Sequence, residues 1–404
     1  MRKVFLLILL ILLNITLVEA KEKIFIVSIV NNEPITNIDV INEAKYLSAL
    51  NPKIQSLDKE QILSIAKESL IKEKIKKNEL LKLKYPKGGE VIVPPLTWSS
   101  DVSSLIHCGF KPVFADIDLN TLGMNTDQII SKINRNTKAV FLSYIQGFNC
   151  LTKKLNDFLK KKKIMLIEDV CESHGAKFLN RKLGTFGWTS NFSFYYAHHM
   201  STIEGGMICT NDKKTYYDLL MLRSHGMIRE VKDQKFQSLM KKKFKDLNSK
   251  FIFYHPAYNV RNNEIGAVIG QSQIRRLNSN IRKRNSNLNY FLSGLDKDIY
   301  FTDFDTNGQS NYAFNLILKK KNKKLIEKLQ KRLDKNGIEF RLGSAGGGNQ
   351  LRQPYVKKLF PKNTMLKFKN TEHMHFYGMY IGNYPELSKD KIDFILKILN
   401  SIRK

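Results

Sequence analysis

The apolar positions of this chain fall into three successive patterns. Behind a basic start at Arg2 and Lys3, residues 4–13 are continuously apolar, and Val18 and Ala20 stand where a signal peptidase would cut. That run is short for a bilayer span, which takes about 20 apolar residues, so the layout predicts a secretory signal peptide over residues 1–20 and export to the periplasm. Residues 23–36 follow as a β-branched run closing on an Asn-Asn-Glu-Pro turn, after which Asn37 or Asp39 is placed to cap a helix. Between 58 and 83, Ile62, Ile65, Ala66, Leu70, Ile71 and Ile75 recur at helical spacing behind Asp58, a ready N-cap.

At Tyr85-Pro-Lys-Gly-Gly89 the pattern changes. Short apolar strands are predicted at 90–98, 112–118, 138–144 and 163–168, with helical segments running to Cys108 and over 155–162. Strands alternating with helices predict an α/β layered domain with a mainly parallel sheet, whose chemistry belongs at the strand ends. Beyond Asp212 the chain turns more helical, at 217–224 and 265–285. A strand at 312–318, a helix at 322–336, a glycine-rich loop at 343–349 and a closing helix at 387–402 complete it. The expected organisation is a signal peptide (1–20), a short helical segment (21–84), a large α/β domain (85–235) and a small α+β domain (236–404).

Composition supports a globular chain of two or three domains: 404 residues, 42% hydrophobic and 10% aromatic, against about 150 residues per domain. The net charge of +30, from 67 Lys+Arg against 37 Asp+Glu, would suit nucleic acid. Its distribution does not. The excess is mostly lysine in short runs at 160–163, 241–243 and 319–321, on stretches that read as helix ends and loops, so a solvated surface is expected and nucleic acid is not an expected partner. The four cysteines, Cys108, Cys150, Cys171 and Cys209, are far apart without a CxxC pair, which points to buried thiols and to no metal site.

Candidate chemistry concentrates in residues 191–206, N-F-S-F-Y-Y-A-H-H-M-S-T-I-E-G-G, where His198 and His199 lie between an aromatic strand-like run and Gly205-Gly206. A lone histidine is more often structural than catalytic. The balance changes because the acidic segment I-E-D-V-C-E-S-H-G, residues 167–175, closes another β-rich run just upstream; titratable groups at two strand ends make a constellation.

Two resemblances follow from these motifs. The opening, with I-V-x-x-V-N-N-x-P-I-T-x-x-D and its helices, resembles the N-terminus of a SurA-type periplasmic chaperone and peptidyl-prolyl isomerase over residues 1–84. From Gly89 on, the chain resembles the DegT/StrS family of sugar-nucleotide aminotransferases, carrying in order G-G-E-V-I-V-P-P-L-T-W, K-P-V-F-A-D-I-D, I-E-D-V-C-E-S-H-G-A, F-S-F-Y-Y-A-H-H-M-S-T-I-E-G-G, L-R-S-H-G, Y-N-V-R and Y-I-G-N-Y-P. That resemblance implies the fold type I architecture and pyridoxal phosphate (PLP) or pyridoxamine phosphate (PMP) as cofactor. It implies Asp169 facing the pyridine nitrogen, which must stay protonated for the ring to act as an electron sink. It further implies Trp98 stacked on the ring, Ser193 on the phosphate, Glu172 beside the pyridoxal hydroxyl, and Asn259 reaching the phosphate of a neighbouring subunit in a homodimer.

One position departs from the aminotransferase pattern. The family reads F-S-F-Y-x-x-K, and its lysine forms a Schiff base with PLP; here the seventh residue is His198, whose imidazole has no primary amine. A-H-H followed by E-G-G is similar to the branch that removes the C3 hydroxyl from nucleotide-linked 4-keto-6-deoxy sugars. There PMP is held non-covalently and regenerated with glutamate, and a histidine with a pKa near neutrality acts as general base. The iron–sulfur version of that chemistry is not expected, since no cysteine follows Cys209. His199, Arg341, Arg352 and the loop Gly346-Gly-Gly-Asn349 are candidates to meet the nucleotide sugar. The alternatives are ordinary transamination and a non-catalytic periplasmic chaperone-like fusion. An exported opening on a family of cytoplasmic enzymes predicts a junction of two partial sequences near residues 85–89. The opening also stands where the family carries its phosphate-binding turn, so that turn is expected to be missing from the chain.

Overall fold

A computed structural model describes residues 25–30, 33–50, 57–76 and 88–403. The expected signal peptide and the junction at residues 85–87 lie outside the described residues. The chain divides into two compact units, Met1–Lys76 and Lys77–Lys404.

In the first unit β1 (Ile26–Val30) pairs antiparallel with β2 (Glu33–Thr36), and α1 (Asn37–Leu50) and α2 (Lys59–Lys76) follow. Neither Asn37 nor Asp39 is the cap of α1. Thr36 takes that place, with its Oγ1 accepting from the Asp39 N–H (3.2 Å) while Asp39 Oδ2 accepts from the Thr36 N–H (2.8 Å), a reciprocal box. Asn37 is drawn off to Phe25, whose N–H it accepts at 3.0 Å. Asp58 does cap α2, through the Gln61 N–H at 2.8 Å. Ile35, Val40, Ala44 and Ala66 form the small core.

The second unit opens with β3 (Glu90–Val93), α3 (Ser99–His107), β4 (Lys111–Phe114), α4 (Thr126–Lys132) and β5 (Thr137–Ser143). It continues through α5 (Lys153–Lys162), β6 (Met165–Asp169), the small hairpin β7 (Lys177–Phe178) and β8 (Arg181–Lys182), β9 (Thr189–Ser193) and β10 (Gly206–Thr210). One six-stranded sheet has the order β10-β9-β6-β5-β3-β4. All neighbours in it are parallel except the edge strand β10, antiparallel to β9. Val91, Val93, Phe141 and Ile167 point into one apolar layer, and Ile92, Val140, Leu142 and Leu166 into the other. The strands read as unbroken apolar runs because both faces are covered. β3 is shorter than predicted: Pro94 and Pro95 cannot donate to a ladder. β4 stops before Asp116, whose carboxylate instead accepts the N–H groups of Asn370 and Thr371 at 3.0 Å.

The remainder comprises α6 (Lys213–Leu222), α7 (Gln234–Lys243), the 31-residue α8 (Glu264–Gly294), β11 (Ala313–Ile317), α9 (Lys323–Lys335), β12 (Phe340–Leu342), α10 (Pro354–Lys357), α11 (Lys369–Tyr377), β13 (Gly378–Gly382) and α12 (Lys389–Asn400). β11, β13 and β12 form a three-stranded antiparallel sheet. Phe314 on β11 stacks on Phe291 of α8 with ring centroids 4.3 Å apart. Two of the lysine runs close α5 and α7, where cations meet the negative end of the helix. Among the described residues, no helix is long and apolar enough to cross a membrane.

Candidate active site

The chain leaves β3 for β4 on one side and then resumes at β5 on the other, so strand order reverses between β3 and β5. The crevice beyond the carboxyl ends at such a reversal is where open α/β sheets bind ligands. Four strands deliver residues to this end: β3 leads to Thr97 and Trp98, β5 to Gln146, β6 to Asp169, Glu172 and His174, and β9 to Ser193, His198 and His199.

Asp169 closes β6 in register with Ser143 on β5 and Asn191 on β9. Its Oδ1 accepts from the Cys171 N–H and from Asn191 Nδ2, both at 2.9 Å. Desolvation raises its carboxyl above the usual range, and Glu172 adds to the rise. Glu172 Oε2 accepts the Gln146 N–H at 2.8 Å, and desolvation, with the Asp101 carboxyl adding to it, pushes it up to about 7. Gln146 is held at φ 58, in the left-handed region, and its Nε2 donates to Ser344 O at 2.6 Å. That bond ties the end of β5 to the glycine-rich loop. Gly346 in this loop sits at φ +50, and a Cβ there would fall 2.2 Å from Thr97 O, so the loop packs against the end of β3 only because the residue is glycine.

His198 is half-buried in the turn after β9, with Nδ1 3.4 Å from Ser193 O. Tyr195, Tyr312 and His174 stand edge-on to its ring at 5.5, 5.6 and 6.4 Å. Its pKa is not near neutrality as the sequence led us to expect. Burial, with the nearby Arg284 guanidinium, pushes the imidazole down to about 4, so it is an unprotonated base at neutral pH. A proton on Nδ1 donates to Ser193 O, leaving Nε2 as the basic nitrogen. His199 is 4% exposed, and its Nε2 lies 3.0 Å from both Ser310 O and Asn311 O. It tethers that segment beneath the site.

The remaining candidates divide. Trp98, the residue before α3, leaves its ring 60% exposed beside the crevice. Ser193 Oγ accepts the Tyr195 N–H at 3.2 Å. Arg341, exposed on β12 and in register with Tyr380 on β13, donates to Glu339 Oε1 at 3.3 Å; the Tyr380 ring is 6.2 Å from that of Tyr312, and this row of rings leads from the rim to His198. Arg352 is committed elsewhere, holding both oxygens of Glu372, one through Nε at 2.7 Å, and lying over the Phe376 ring. Asn259 is exposed and accepts from Arg261 Nε at 3.1 Å.

Sequence reading missed Asp101, His174, Tyr312 and Arg284. His174 stood inside the quoted acidic motif and could have been noticed. The others are carried in from distant elements. Arg284 on α8, for instance, donates to Tyr312 O at 2.7 Å.

Side chains here fit a ring with a protonated nitrogen. Burial enriches the crevice in carboxyls, Trp98 presents an uncovered aromatic face, and His174 Nε2, Gln146 Oε1 and Ser344 Oγ are buried without a hydrogen-bond partner, polar atoms of a kind that native interiors rarely leave unpaired. Asp169 could hold the ring nitrogen and Ser193 a phosphate.

A mainly parallel sheet of this order, flanked by helices and with an acidic strand end at the crevice, is the fold of type I PLP-dependent enzymes. A family profile described as the DegT/DnrJ/EryC1/StrS aminotransferase family matches residues 78–400, beginning upstream of the composition change at residues 85–89. The chain belongs to that family. It is 33% identical over 320 residues to a GDP-4-keto-6-deoxy-D-mannose 3-dehydratase of Escherichia coli O55:H7, covering 79% of this chain and 81% of that protein. Among solved structures, an E. coli GDP-4-keto-6-deoxy-D-mannose-3-dehydratase with bound hydrated PLP superposes with a TM-score of 0.71 at 31% identity, covering 80% of this chain and 85% of the other. A GDP-4-keto-6-deoxymannose-3-dehydratase with a trapped PLP-glutamate geminal diamine gives 0.68 at 31% identity, covering 82% and 84%.

Proposed function

We propose that this chain removes water from C3 of a nucleotide-linked 4-keto-6-deoxy sugar in deoxysugar and polysaccharide biosynthesis, with PLP/PMP as cofactor and glutamate as amino donor. The observation that carries this reading is His198. It stands in the turn after β9 at the family's amine position, and it is unprotonated at neutral pH. When bound, the cofactor supplies a ring that accepts electrons. Asp169 would hold the ring nitrogen protonated, Trp98 would cover one face, and Ser193 would meet the phosphate. His198 Nε2 takes up the proton whose removal lets the C3 hydroxyl depart, then can hand it on to that leaving group. Tyr312 and Tyr380, both held protonated by burial, can donate to sugar hydroxyls, and Arg341 at the rim can meet a phosphate of the nucleotide.

The direct test incubates the purified chain with PMP, glutamate and GDP-4-keto-6-deoxymannose and follows the nucleotide sugar by mass spectrometry. The nucleotide sugar is expected to lose one oxygen atom: the C3 hydroxyl departs as water, a hydrogen takes its place, and the two electrons come from glutamate, which ends as 2-oxoglutarate and ammonia. An amino sugar in its place would favour the transaminase reading and sink this one.

We further propose a homodimer. Phe253, Ile265, Val268 and Ile274 are each more than half exposed on α8 and the loop before it, and Asn259, exposed in the same stretch, would reach the partner's phosphate. Apolar side chains gathered in this way mark an interface. Val268→Asp is expected to sediment as a monomer and to bind PMP about tenfold more weakly, the loss of one charge-assisted contact; an unchanged dimer would refute the assignment of this face.

A further inference from the structure

We propose that Asp101 is a positioning residue of the cofactor site: as a neutral carboxylic acid it donates a hydrogen bond to Asp169, and so fixes the charge and orientation of the carboxylate that faces a protonated ring nitrogen. Asp101 lies in the first turn of α3 and is 3% exposed. Its Oδ2 accepts from Ser143 Oγ at 2.6 Å and from Thr97 Oγ1, and these two hydroxyls are themselves 2.9 Å apart. Both belong to buried residues. With the hydroxyls converging on Oδ2, the other oxygen of Asp101 is the one to carry a proton.

Ser143, which donates to Asp101, is in register with Asp169 on the next strand, and this brings the Asp101 carboxyl beside that of Asp169, where each shifts the other's titration. Two carboxyls in contact cannot both be ionised, so the pair shares one proton. Desolvation, followed by the Asp169 charge, lifts Asp101 well above the carboxylate range. Asp169 is raised less, because it also accepts hydrogen bonds from Cys171 and Asn191. In the proposed arrangement the shared proton sits on Asp101, and Asp169, served by the Cys171 N–H and the Asn191 amide, is the carboxylate. Asp101's place in a helix first turn favours the ionised form, but too little against burial beside a second carboxylate. The other titratable groups that feel this pair are Glu172, the Cys171 thiol and Tyr355, none of them cationic. Within this group the positive partner of Asp169 has to come with the ligand.

Asparagine at position 101 would present the same acceptor to the hydroxyls and the same donor to Asp169, with no proton to lose. Leucine would present neither, and Asp169, then alone, would itself take up a proton on the acid side of neutrality. The experiment titrates PMP into the full chain from about pH 6 to about pH 8 for wild type, Asp101→Asn and Asp101→Leu. Each affinity is expressed relative to wild type, which cancels the titration of the phosphate itself near pH 6. Asp101→Asn is expected within about threefold of wild type throughout. Asp101→Leu should bind on the order of tenfold more weakly at the acid end, with the deficit shrinking as pH rises and Asp169 ionises. A pH-independent Leu deficit, or no deficit, overturns the proposal. So does an Asn variant weakened by tenfold or more, which decides the matter alone if the Leu variant fails to fold. The proposal rests on the cofactor and not on the dehydration, since no sugar enters the titration. A wild-type chain that does not bind PMP would overturn the cofactor reading as well, whereas failure of the Asn variant alone overturns only the role of Asp101.

Discussion

Replacing His198 with asparagine is expected to slow loss of water from the sugar by about 10³-fold while PMP affinity stays within a few-fold, because a positioned general base contributes about 10²–10⁴-fold and asparagine keeps a polar group in the turn after β9. The pH dependence has a defined sign. The folded-state imidazole is pushed down to about 4 by burial and Arg284, so the wild-type kcat/KM should hold as pH falls through 6 and collapse only as His198 protonates near that value. This acid limb should vanish in His198→Asn, whose amide does not titrate in that range. His198→Lys adds the primary amine that the family pattern has at this position. It is expected to attach PLP covalently, read as a mass increase after borohydride reduction. A His198→Asn enzyme of undiminished rate would remove the base assignment, and a lysine variant that never captures PLP would show that the turn after β9 does not face the ring.

Glu168→Ala is expected to cost about 4 kcal/mol or more and to lower the melting temperature by at least about 8 °C. Glu168 precedes Asp169 on β6 and is fully buried. Its Oε1 accepts from Tyr144 Oη at 2.9 Å and from the Gly184 N–H at 2.8 Å, and its Oε2 from the N–H groups of Phe186 and Gly187 at 2.9 and 2.6 Å. Removing the carboxylate orphans all four donors in a dry interior, and each unsatisfied group costs about 1–3 kcal/mol. Partial relaxation keeps the sum below the simple total. Against a domain stability of about 5–15 kcal/mol, the loss should also appear as poor soluble yield. Glu168→Gln keeps the shape but turns an amide N–H₂ toward an existing donor, and should fall between alanine and wild type. Thermal melts of the three chains decide this, and an alanine variant melting within about 2 °C of wild type would mean that these donors find other partners.

Motif order carried much of this molecule. Strand positions at the ends of apolar runs placed Asp169, Ser193 and His198 at one crevice, because a parallel sheet brings every strand's carboxyl end to the same edge. The strands were legible where both faces are buried, as in β5 and β6. They were not legible in β10, an edge strand whose Met207 and Ile208 stay exposed, nor in β12 and β13, which gain their ladder only from each other and from β11. The proline pair after β3 ended that strand earlier than its apolar composition suggested, and Asp116 ended β4 by serving α11 instead.

The sequence by itself determined the class of chemistry: a carboxylate after a buried strand, an imidazole where an amine would stand, and the family to which they belong. Tertiary structure alone decided the protonation of the site. The His198 imidazole lies well below neutrality because burial strips it of water and the Arg284 guanidinium on α8 opposes a second positive charge. Asp101 became visible only when Ser143 and Thr97 carried it against Asp169. Charge states of buried groups depend on distance and dielectric, and both arise from packing between segments far apart in the chain. The histidine after β9 was therefore identifiable as a base from its neighbours in sequence, while its pKa, and the proton held beneath the cofactor site, were set by neighbours in space.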